Sequence, residues 1–393
     1  MRAVISGAGI AGLALANRLH HHGWDVHVVD RAPGPRAQGY MIDFFGPGFE
    51  AITAMGLEPR LRELASPVRE FSYVDDRGRT TVSVDYELFA KAVDGGMVSI
   101  MRPALEGLLR ESLLRESTAG AVDLRYGTTV DRIAGGAVEL SDATTLEADL
   151  IVGADGVHSG VRSLTFGAER DDLRYLGMQT GAFVFTDQAV FEQVRGRFVL
   201  TETLNRQLGF YGLDGGRVAV FTVFRTDDRA LPDDPRAALR RTFAGMGDLA
   251  ERALAQCPPS DEIYYDQVAQ TVTPRWTDGR VALVGDAAHA VSLVAGQGAS
   301  LGVAGAYVLA ERLRVAPSVP EALADYERRW RPVVTGVQEA ARDRVTEWFV
   351  PTRMATLLLR RWGFRAMKLP GLDRILVGPL FPKGHRSVAE LSA

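Results

Sequence analysis

The sequence predicts an α/β fold that combines a Rossmann-like domain on a parallel sheet, a domain on an antiparallel sheet, and C-terminal helices. Three patterns predict this fold class. Residues 2–30 give a strand, a helix and a second strand, and short buried strands return at 149–156 and 280–286. Between them, residues 172–230 hold short aromatic and β-branched runs that are typical of antiparallel strands. From 321 to 362 the pattern is mainly helical.

The N-terminal elements follow from local patterns. Residues 2–6, RAVIS, are predicted to form a buried strand, and a helix follows in which Ala11, Leu15 and Leu19 recur every four residues. Gly23 ends that helix, and residues 25–30 alternate as the second strand. A strand–helix–strand unit of this kind predicts parallel pairing of the two strands.

The return of buried strands late in the sequence predicts that the first domain is discontinuous. We also expect a hairpin over 71–84, a helix over 102–114 and an apolar helix over 299–314. The expected division is a first domain of residues 1–70, 100–171 and 274–315, a sheet domain of residues 71–99 and 172–273, and a helical region of residues 316–393.

Composition and charge exclude several classes of protein. The 393 residues carry a formal net charge of −4, so a nucleic-acid-binding surface, which needs an excess of basic residues, is not expected. The single cysteine, Cys257, excludes an intrachain disulfide and a cysteine-based metal site. No apolar run reaches the roughly 18 residues of a membrane helix, and a strand pattern stands where a signal peptide would be. We therefore expect a cytoplasmic protein, a monomer or homodimer, that contacts neither nucleic acid nor membrane.

The first motif is GAGIAG at residues 7–12. Gly7 allows the tight turn after the strand, Gly9 lets the backbone approach a pyrophosphate, and Gly12 lets the helix pack closely on the strand. Asp30 ends the second strand 18 residues after Gly12, where an acid can accept hydrogen bonds from a ribose. Strand, helix, second strand and acid together indicate dinucleotide binding.

The second motif is IVGADGVHSGVR at residues 151–162, a strand that runs into a tight turn. Asp155 and Arg162 are its charged residues. From the residues alone, a functional role and a structural ion pair between these two side chains are equally good interpretations.

The third motif is LVGDAAHAVSLVAGQGAS at residues 283–300. Asp286 follows a buried strand and can accept hydrogen bonds from a polyol, while Gly296 and Gly298 expose backbone N–H groups just before a helix. A hydrolytic Asp286–His289 pair would need a nucleophile, and no Gly-x-Ser-x-Gly elbow supplies one. A metal site would need more ligands than these two. The histidines at 20–22 do not share a helix face, so we expect a solvated helix end and no metal site.

Taken in this order, the three motifs resemble those of the class A FAD-dependent monooxygenases of the para-hydroxybenzoate hydroxylase fold. They span residues 7–298. In finer detail, RAQGYMIDFFG at 36–46 and SIMRPALEGLL at 99–109 resemble the matching segments of the tetracycline-inactivating flavin monooxygenases. The resemblance implies that the discontinuous domain binds FAD and that the antiparallel sheet roofs a substrate pocket.

The resemblance also implies roles for individual residues. Asp30 and Arg31 would hold the FAD adenosine, Arg102 and Asp286 would contact its phosphate and ribityl parts, and Asp43 would lie beside the flavin. In the same way, Arg36 is implied to help with NAD(P)H or FAD, and Asp155 with both. The full set of implied cofactor-binding residues is Gly7, Gly9, Ile10, Ala11, Gly12, Asp30, Arg31, Arg36, Asp43, Arg102, Val130, Asp155, Gly285, Asp286, Gly296, Gly298 and Ala299.

Three positions depart from the pattern of many relatives. Leu293 stands where proline is common, Ser300 where asparagine is common, and Gly305 where aspartate is common. Leu293 and Ser300 fall near the expected flavin ring, so the position of the ring is the part of the resemblance that these departures affect most.

The implied reaction is monooxygenation. NAD(P)H reduces the flavin, O₂ adds at its C4a position, and the hydroperoxide transfers one oxygen to an organic substrate. Because the flavin carries this chemistry, no side chain is assigned as catalytic. Two alternatives remain, a flavin-dependent dehydrogenase or reductase on the same scaffold and a non-catalytic flavin-binding module.

The substrate is expected to be hydrophobic, and aromatic or polycyclic, because the predicted roof is rich in aromatic residues. Phe183 and Phe185 share one strand face, while Phe221 and Phe224 fall on opposite faces. We expect most of the aromatic side chains of this antiparallel sheet to be packed in the protein core. The residues in question are Phe183, Phe185, Phe210, Tyr211, Phe221 and Phe224.

Overall fold

The structure is a computed structural model. It describes residues 1–36, 38–93, 96–117, 122–167, 172–292, 296–342, 346–366 and 387–393. Leu293, one of the three departures, lies outside the described residues.

A parallel sheet forms the centre of the first part of the molecule. Within the described residues it has six strands in the order β17-β18-β11-β1-β2-β7. All neighbouring pairs are parallel except β17 and β18. The strands are β1 (Arg2–Ser6), β2 (Asp25–Asp30), β7 (Val122–Tyr126), β11 (Leu150–Gly153), β17 (Thr277–Asp278) and β18 (Val281–Leu283). The strand–helix–strand prediction and the late return of buried strands to the same sheet are confirmed.

The second large sheet is mainly antiparallel, as predicted. Its order within the described residues is β16-β12-β15-β14-β13-β4-β5, and only β4 and β13 pair in parallel. The predicted hairpin is β4 and β5. The strands are β4 (Glu70–Val74), β5 (Thr80–Asp85), β12 (Leu173–Thr186), β13 (Arg197–Thr203), β14 (Arg206–Gly212), β15 (Arg217–Arg225) and β16 (Tyr264–Thr271).

Two smaller groups of strands complete the sheets. A ribbon of β3 (Met41–Phe45) and β6 (Met97–Met101) pairs Asp43 with Ser99. A second group contains β8 (Val130–Ala134), β9 (Ala137–Leu140) and β10 (Thr145–Glu147). The ribbon leads the chain into and out of the β4–β5 hairpin, so it joins the two large sheets. The division into domains at the residues given above stays a prediction.

Helices cover the parallel sheet and pack against both faces of the antiparallel sheet. Their bounds are α1 (Ile10–His21), α2 (Pro47–Ala54), α3 (Glu58–Leu64), α4 (Tyr86–Ala92), α5 (Arg102–Glu116), α6 (Gly160–Phe166), α7 (Gln188–Val194), α8 (Pro235–Phe243), α9 (Asp248–Ala255), α10 (Asp286–His289), α11 (Gly298–Val315), α12 (Val319–Ala340), α13 (Thr346–Phe349), α14 (Met354–Ala366) and α15 (Val388–Ser392). The largest core cluster contains β1, β2, β11, β18, α1, α5, α11 and α12.

The two faces of the antiparallel sheet have different partners. Phe183, Phe185 and Phe210 are buried in a core with helices α7–α9, and Phe224 packs against that core. Tyr211 and Phe221 lie on the other face, where they line a large cavity. Four of these six aromatic side chains therefore belong to the core beside α7–α9, which confirms the prediction that most of them do.

The histidines at the end of α1 are not simply solvated. The His22 ring lies 3.0 Å from Glu311 and its side chain is 10% exposed, and burial lowers the pKa of His22. His20 Nε2 lies 3.2 Å from the carbonyl oxygen of Glu116. The expectation of a solvated end is wrong for these two residues, because α5 and α11 pack against the side of α1 that carries them.

The C-terminal helices extend over both sheets. Helix α12 packs on α11, and α15 contacts α2 and α11. Helix α14 lies on the antiparallel sheet, where Arg360 forms a buried ion pair with Glu202 of β13 and Phe364 contacts Phe71 and Tyr73. None of the helices that the structure describes has the length and apolar character to cross a membrane.

Candidate functional site: two joined cavities

The three motifs meet at one edge of the parallel sheet. Ser6 of β1 is in register with Gly153 of β11, and Gly153 is in register with Leu283 of β18. Because the carboxyl ends of parallel strands meet at one edge, the loops that follow these residues lie side by side. This edge is where α/β proteins bind ligands.

Close backbone approaches explain two glycines of the first motif. A Cβ on Gly7, whose φ is +111°, would lie 2.3 Å from the carbonyl oxygen of Ala154 in the second motif. A Cβ on Gly12 would lie 1.9 Å from the carbonyl oxygen of Gly7. Helix α1 begins at Ile10 without a side-chain cap. Its first N–H groups can therefore meet a ligand, and the positive end of the helix dipole favours an anionic one.

A cavity of about 190 Å³ lies beside this turn. Asp30 is 8% exposed and accepts hydrogen bonds from the backbone N–H groups of Ala8 and Ala32, both at 2.8 Å. Each carboxylate oxygen keeps a further lone pair for a ligand. The predicted residues that line this cavity are Gly7, Gly9, Asp30, Arg31, Arg36, Arg102, Val130 and Asp155.

Arg36 lies at the open side of the same cavity. Its guanidinium is 3.9 Å from Asp30 and the side chain is 46% exposed. A contact this long at the surface contributes little to stability. The guanidinium is therefore available to a ligand.

A second cavity, of about 470 Å³, adjoins the first. Gly9, Arg102, Ala154 and Gly156 line both cavities, so the two spaces are joined. The predicted residues that line the larger cavity are Gly9, Ile10, Ala11, Asp43, Arg102, Gly285, Asp286, Gly296, Gly298 and Ala299. Gly12 lies in the turn beside the cavities. Every other predicted site residue lines one of the two cavities.

Asp286 begins helix α10, and its side chain is exposed to the interior of the larger cavity. The surrounding protein still shields it from bulk solvent, and burial raises the pKa of this carboxyl, while the charge of Arg102 acts in the opposite direction. Arg102 itself is held 3.0 Å from the buried carboxylate of Glu106. Asp286 can therefore accept hydrogen bonds from a ligand in the cavity.

His289 does not line the larger cavity. It is 2% exposed, it accepts a hydrogen bond from the Trp330 indole at 3.3 Å, and its ring centroid lies 5.0 Å from that of Trp276. Burial lowers the pKa of His289 to about 4, so the ring is neutral at neutral pH. His289 packs locally, which removes the hydrolytic Asp–His alternative.

The possible ion pair of the second motif is not formed. Arg162 pairs with Asp172 at 3.1 Å instead of Asp155, and it donates to the carbonyls of Ala287 and Val157 at 2.9 and 2.7 Å. Asp155 accepts hydrogen bonds from the Ser159 hydroxyl and from the first N–H groups of α6. The prediction of an ion pair between Asp155 and Arg162 is therefore wrong, because Arg162 pairs with a different residue. The hydrogen bonds of both side chains stabilise the turn beside the smaller cavity.

The departures at positions 300 and 305 have local explanations. Ser300 is 2% exposed. Its hydroxyl accepts from the Gly48 N–H at 2.9 Å and donates to the carbonyl of Phe45. Ser300 is thus part of the packing between α2 and α11, next to Ala299 in the cavity wall, and its effect on the position of the ring stays a prediction. A Cβ on Gly305 would lie 2.6 Å from the Trp330 indole nitrogen, so glycine provides the space for that ring.

Sequence reasoning missed several polar residues of the larger cavity. Tyr40 and Tyr264 line it with ring centroids 5.4 Å apart, and burial raises the pKa of Tyr40 to about 12. Asp266 of β16 lines it as well. Tyr86 was missed as well, and its hydroxyl donates a hydrogen bond to Asp43 at 2.6 Å. Strand β16 reaches the site through its pairing with β12 and its contacts with α10, and no local motif marks it.

Comparisons with known proteins agree with this geometry. The sequence profile of the family described as FAD binding domain matches residues 1–341. FAD-dependent monooxygenase asL6 of Sarocladium schorii is 31% identical over 372 residues, which cover 86% of this chain and 86% of that protein. An uncharacterised protein of Mycobacterium tuberculosis is 32% identical over 326 residues, which cover 80% of this chain and 85% of that protein.

Solved structures share the fold over nearly the whole chain. Tetracycline destructase Tet(55) has a TM-score of 0.78 and 25% identity, with 95% of this chain and 96% of that chain covered. Klebsiella pneumoniae HpxO complexed with FAD and uric acid has a TM-score of 0.77, with 98% of each chain covered. The identity to HpxO is 22%, so this second similarity shows the fold alone.

Proposed function

The chain belongs to the FAD binding domain family of flavin-dependent monooxygenases, and from this premise we propose that it uses NAD(P)H and O₂ to oxygenate a hydrophobic aromatic or polycyclic molecule. The observation that carries the proposal is the continuity of the two cavities. One has the geometry of a dinucleotide cradle, and the other ends among aromatic side chains.

The smaller cavity fits the adenosine and pyrophosphate parts of FAD. Asp30 would accept hydrogen bonds from the ribose, and Arg31 and Val130 would flank the adenosine. The pyrophosphate would meet the start of α1, where Gly9 has no side chain that would block it. A Cβ at Gly7 or Gly12 would collide with backbone atoms, so the turn keeps this shape.

The larger cavity fits the ribityl chain and the flavin ring. Asp286 faces the cavity and would accept hydrogen bonds from the ribityl hydroxyls, and Arg102 would stand between phosphate and ribityl groups. Helix α11 begins at Gly298 without a side-chain cap. Its N–H groups would face the ring and favour negative charge there. FAD bound here supplies the redox and oxygen-transfer chemistry.

The chain's own part in the reaction is binding, orientation and exclusion of water. Past the proposed ring position, the cavity wall is formed by Phe71, Tyr73, Phe198, Phe221 and Phe364. Apolar aromatic walls bury the surface of a hydrophobic substrate and keep water from the reacting atoms. The names of relatives agree with such a substrate: one similar structure is a tetracycline destructase.

The test is oxygen incorporation. Purified protein should oxidise NADH or NADPH faster in the presence of an accepted substrate, and isotopically labelled O₂ should place one labelled oxygen in the product. Substrate-dependent oxidation without label would instead indicate a dehydrogenase or reductase. No stimulation by any member of a broad panel of aromatic and polycyclic compounds would indicate a flavin-binding module without catalysis.

A further inference from the structure

The carboxylate of Asp43 lies in the wall of the larger cavity, and its partners are all hydroxyl groups. Tyr86 and Ser99 donate to its Oδ1 atom at 2.6 and 2.5 Å, and these two hydroxyls are 2.7 Å from each other. Tyr211 is a third hydrogen-bond partner. Hydroxyl donors stabilise a carboxylate, but they do not neutralise its charge.

No basic side chain among the described residues forms an ion pair with Asp43. The two arginines that line the same cavity are already paired with carboxylates behind its wall. Arg102 is 3.0 Å from Glu106, and Arg360 pairs with Glu202, which also receives Arg361 at 3.1 Å. The aromatic end of the cavity therefore presents a carboxyl group that has no cationic partner among the described residues. Burial disfavours the ionised form of Asp43, and a cation bound beside it would stabilise that form.

Aromatic rings extend from Asp43 along the cavity. The ring of Tyr86 lies 6.5 Å from that of Phe89, and Phe89 lies 5.7 Å from Phe71. On the opposite side, Tyr211 stacks on Phe198 with centroids 4.2 Å apart. The faces of such rings attract cations, and a carboxylate combined with aromatic rings is a recurrent binding site for ammonium groups.

We propose that the substrate of this cavity carries a protonated amino group, which Asp43 binds as its ionic partner while the aromatic rings contact the rest of the molecule. This inference rests on the proposed function, since it takes the larger cavity as the substrate site. A neutral hydroxyl could also form a hydrogen bond with Asp43, but it would not stabilise the ionised carboxylate as a cation does. An anionic substituent would be repelled.

Three nearly isosteric probes test the proposal by calorimetric titration of the FAD-bound protein. They are 9-(aminomethyl)anthracene, 9-anthracenemethanol and 9-anthracenecarboxylate, which present a cation, a neutral donor and an anion on the same rings. The ammonium probe should bind at least about tenfold more tightly than the alcohol, and the carboxylate should bind most weakly. Equal binding of all three, or tighter binding of the alcohol or the carboxylate, would overturn the inference while leaving the monooxygenase proposal intact.

Variants assign the preference to Asp43. Asp43→Asn, measured on protein whose FAD occupancy matches that of the wild type, should remove the difference between the ammonium probe and the alcohol. Asp278→Asn removes the same charge at the surface, where the side chain is 47% exposed, and should leave the difference unchanged. Loss of FAD from Asp43→Asn would place this carboxylate in the flavin site and overturn the inference. Failure of all three probes to bind the wild-type protein would contradict the aromatic substrate class itself, and therefore the proposed function.

A pH profile of the wild-type protein gives a second measurement that does not depend on the folding of Asp43→Asn. Burial raises the pKa of Asp43, and its hydroxyl partners oppose that rise. The ammonium preference should disappear as the pH falls and Asp43 takes up a proton, although the amine stays charged. Tyr86→Phe removes a donor to the ionised form, so the preference should disappear at a higher pH. A preference that does not change with pH in either protein would overturn the inference.

Discussion

The edge of the parallel sheet and the aromatic end of the larger cavity differ in how the sequence builds them. At the sheet edge, Gly7, Asp155 and Asp286 each follow a strand within a short motif, and parallel register brings the three motifs together. At the aromatic end, Asp43, Tyr86, Ser99 and Tyr211 come from three different strands and a helix. The first region is defined by local backbone geometry, while the second is defined by side chains that meet only after the sheets have formed.

The largest expected effect is at the sheet edge. Gly12→Ala would place a Cβ 1.9 Å from the carbonyl oxygen of Gly7, so the variant should lose FAD and unfold more easily by about 3 kcal/mol. Gly107→Ala is the matched control, since nothing lies within 4 Å of the new Cβ inside α5, and it should be neutral or stabilise by about 0.5–1 kcal/mol. Urea unfolding and the ratio of flavin to protein absorbance measure both effects. Full FAD occupancy in Gly12→Ala would show that the turn is more tolerant than its geometry indicates.

The second prediction separates two neighbours in one motif. Asp286→Ala should weaken FAD binding by about tenfold or more, because charge-assisted hydrogen bonds contribute roughly 1.5–3 kcal/mol each. His289→Ala should keep FAD but lower the thermal stability, because it leaves the Trp330 indole without its partner. FAD titration of the apoprotein and thermal unfolding distinguish the two outcomes. An equal loss of FAD affinity in both variants would restore a paired Asp–His role.

The sequence predicted the sheet-edge region well because glycine spacing, strand ends and Asp30 are all local features. It did not predict the hydroxyl partners of Asp43 or the tyrosine pair of Tyr40 and Tyr264, since their positions depend on pairing between distant strands. The hydrogen bonds of the Ser300 hydroxyl with Gly48 and Phe45 were not predicted either, since they join distant parts of the chain.

The third prediction uses pH to test the burial of His289. Its pKa falls from 6.5 to about 4 in the folded protein, so below pH 6.5 the unfolded chain binds a proton that the folded protein does not. The free energy of unfolding should therefore decrease between pH 6.5 and about 4, and this residue should contribute at most about 3 kcal/mol to that decrease. Urea unfolding of wild type and His289→Gln over this range isolates the contribution. Parallel pH dependences in the two proteins would contradict it.

The smallest expected effect concerns Arg36, at the open side of the smaller cavity. Arg36→Ala should raise the KM for NAD(P)H by less than about tenfold, because the side chain is 46% exposed, while FAD stays bound. Stopped-flow measurements follow flavin reduction and the reaction of reduced enzyme with O₂ separately, and only the first should change. Unchanged reduction would remove Arg36 from the nicotinamide site, and loss of FAD would assign it to the flavin instead.

The most direct test of the central claim, that the joined cavities hold FAD, is the identity of the cofactor in the purified protein. Protein isolated without added flavin should be yellow, and denaturation by heat or acid should release FAD into the supernatant in an amount equimolar with the protein. We expect the flavin to be bound without a covalent link, so the precipitate should be colourless. Release of FMN, flavin retained in the precipitate, or apoprotein that does not take up added FAD would contradict the account.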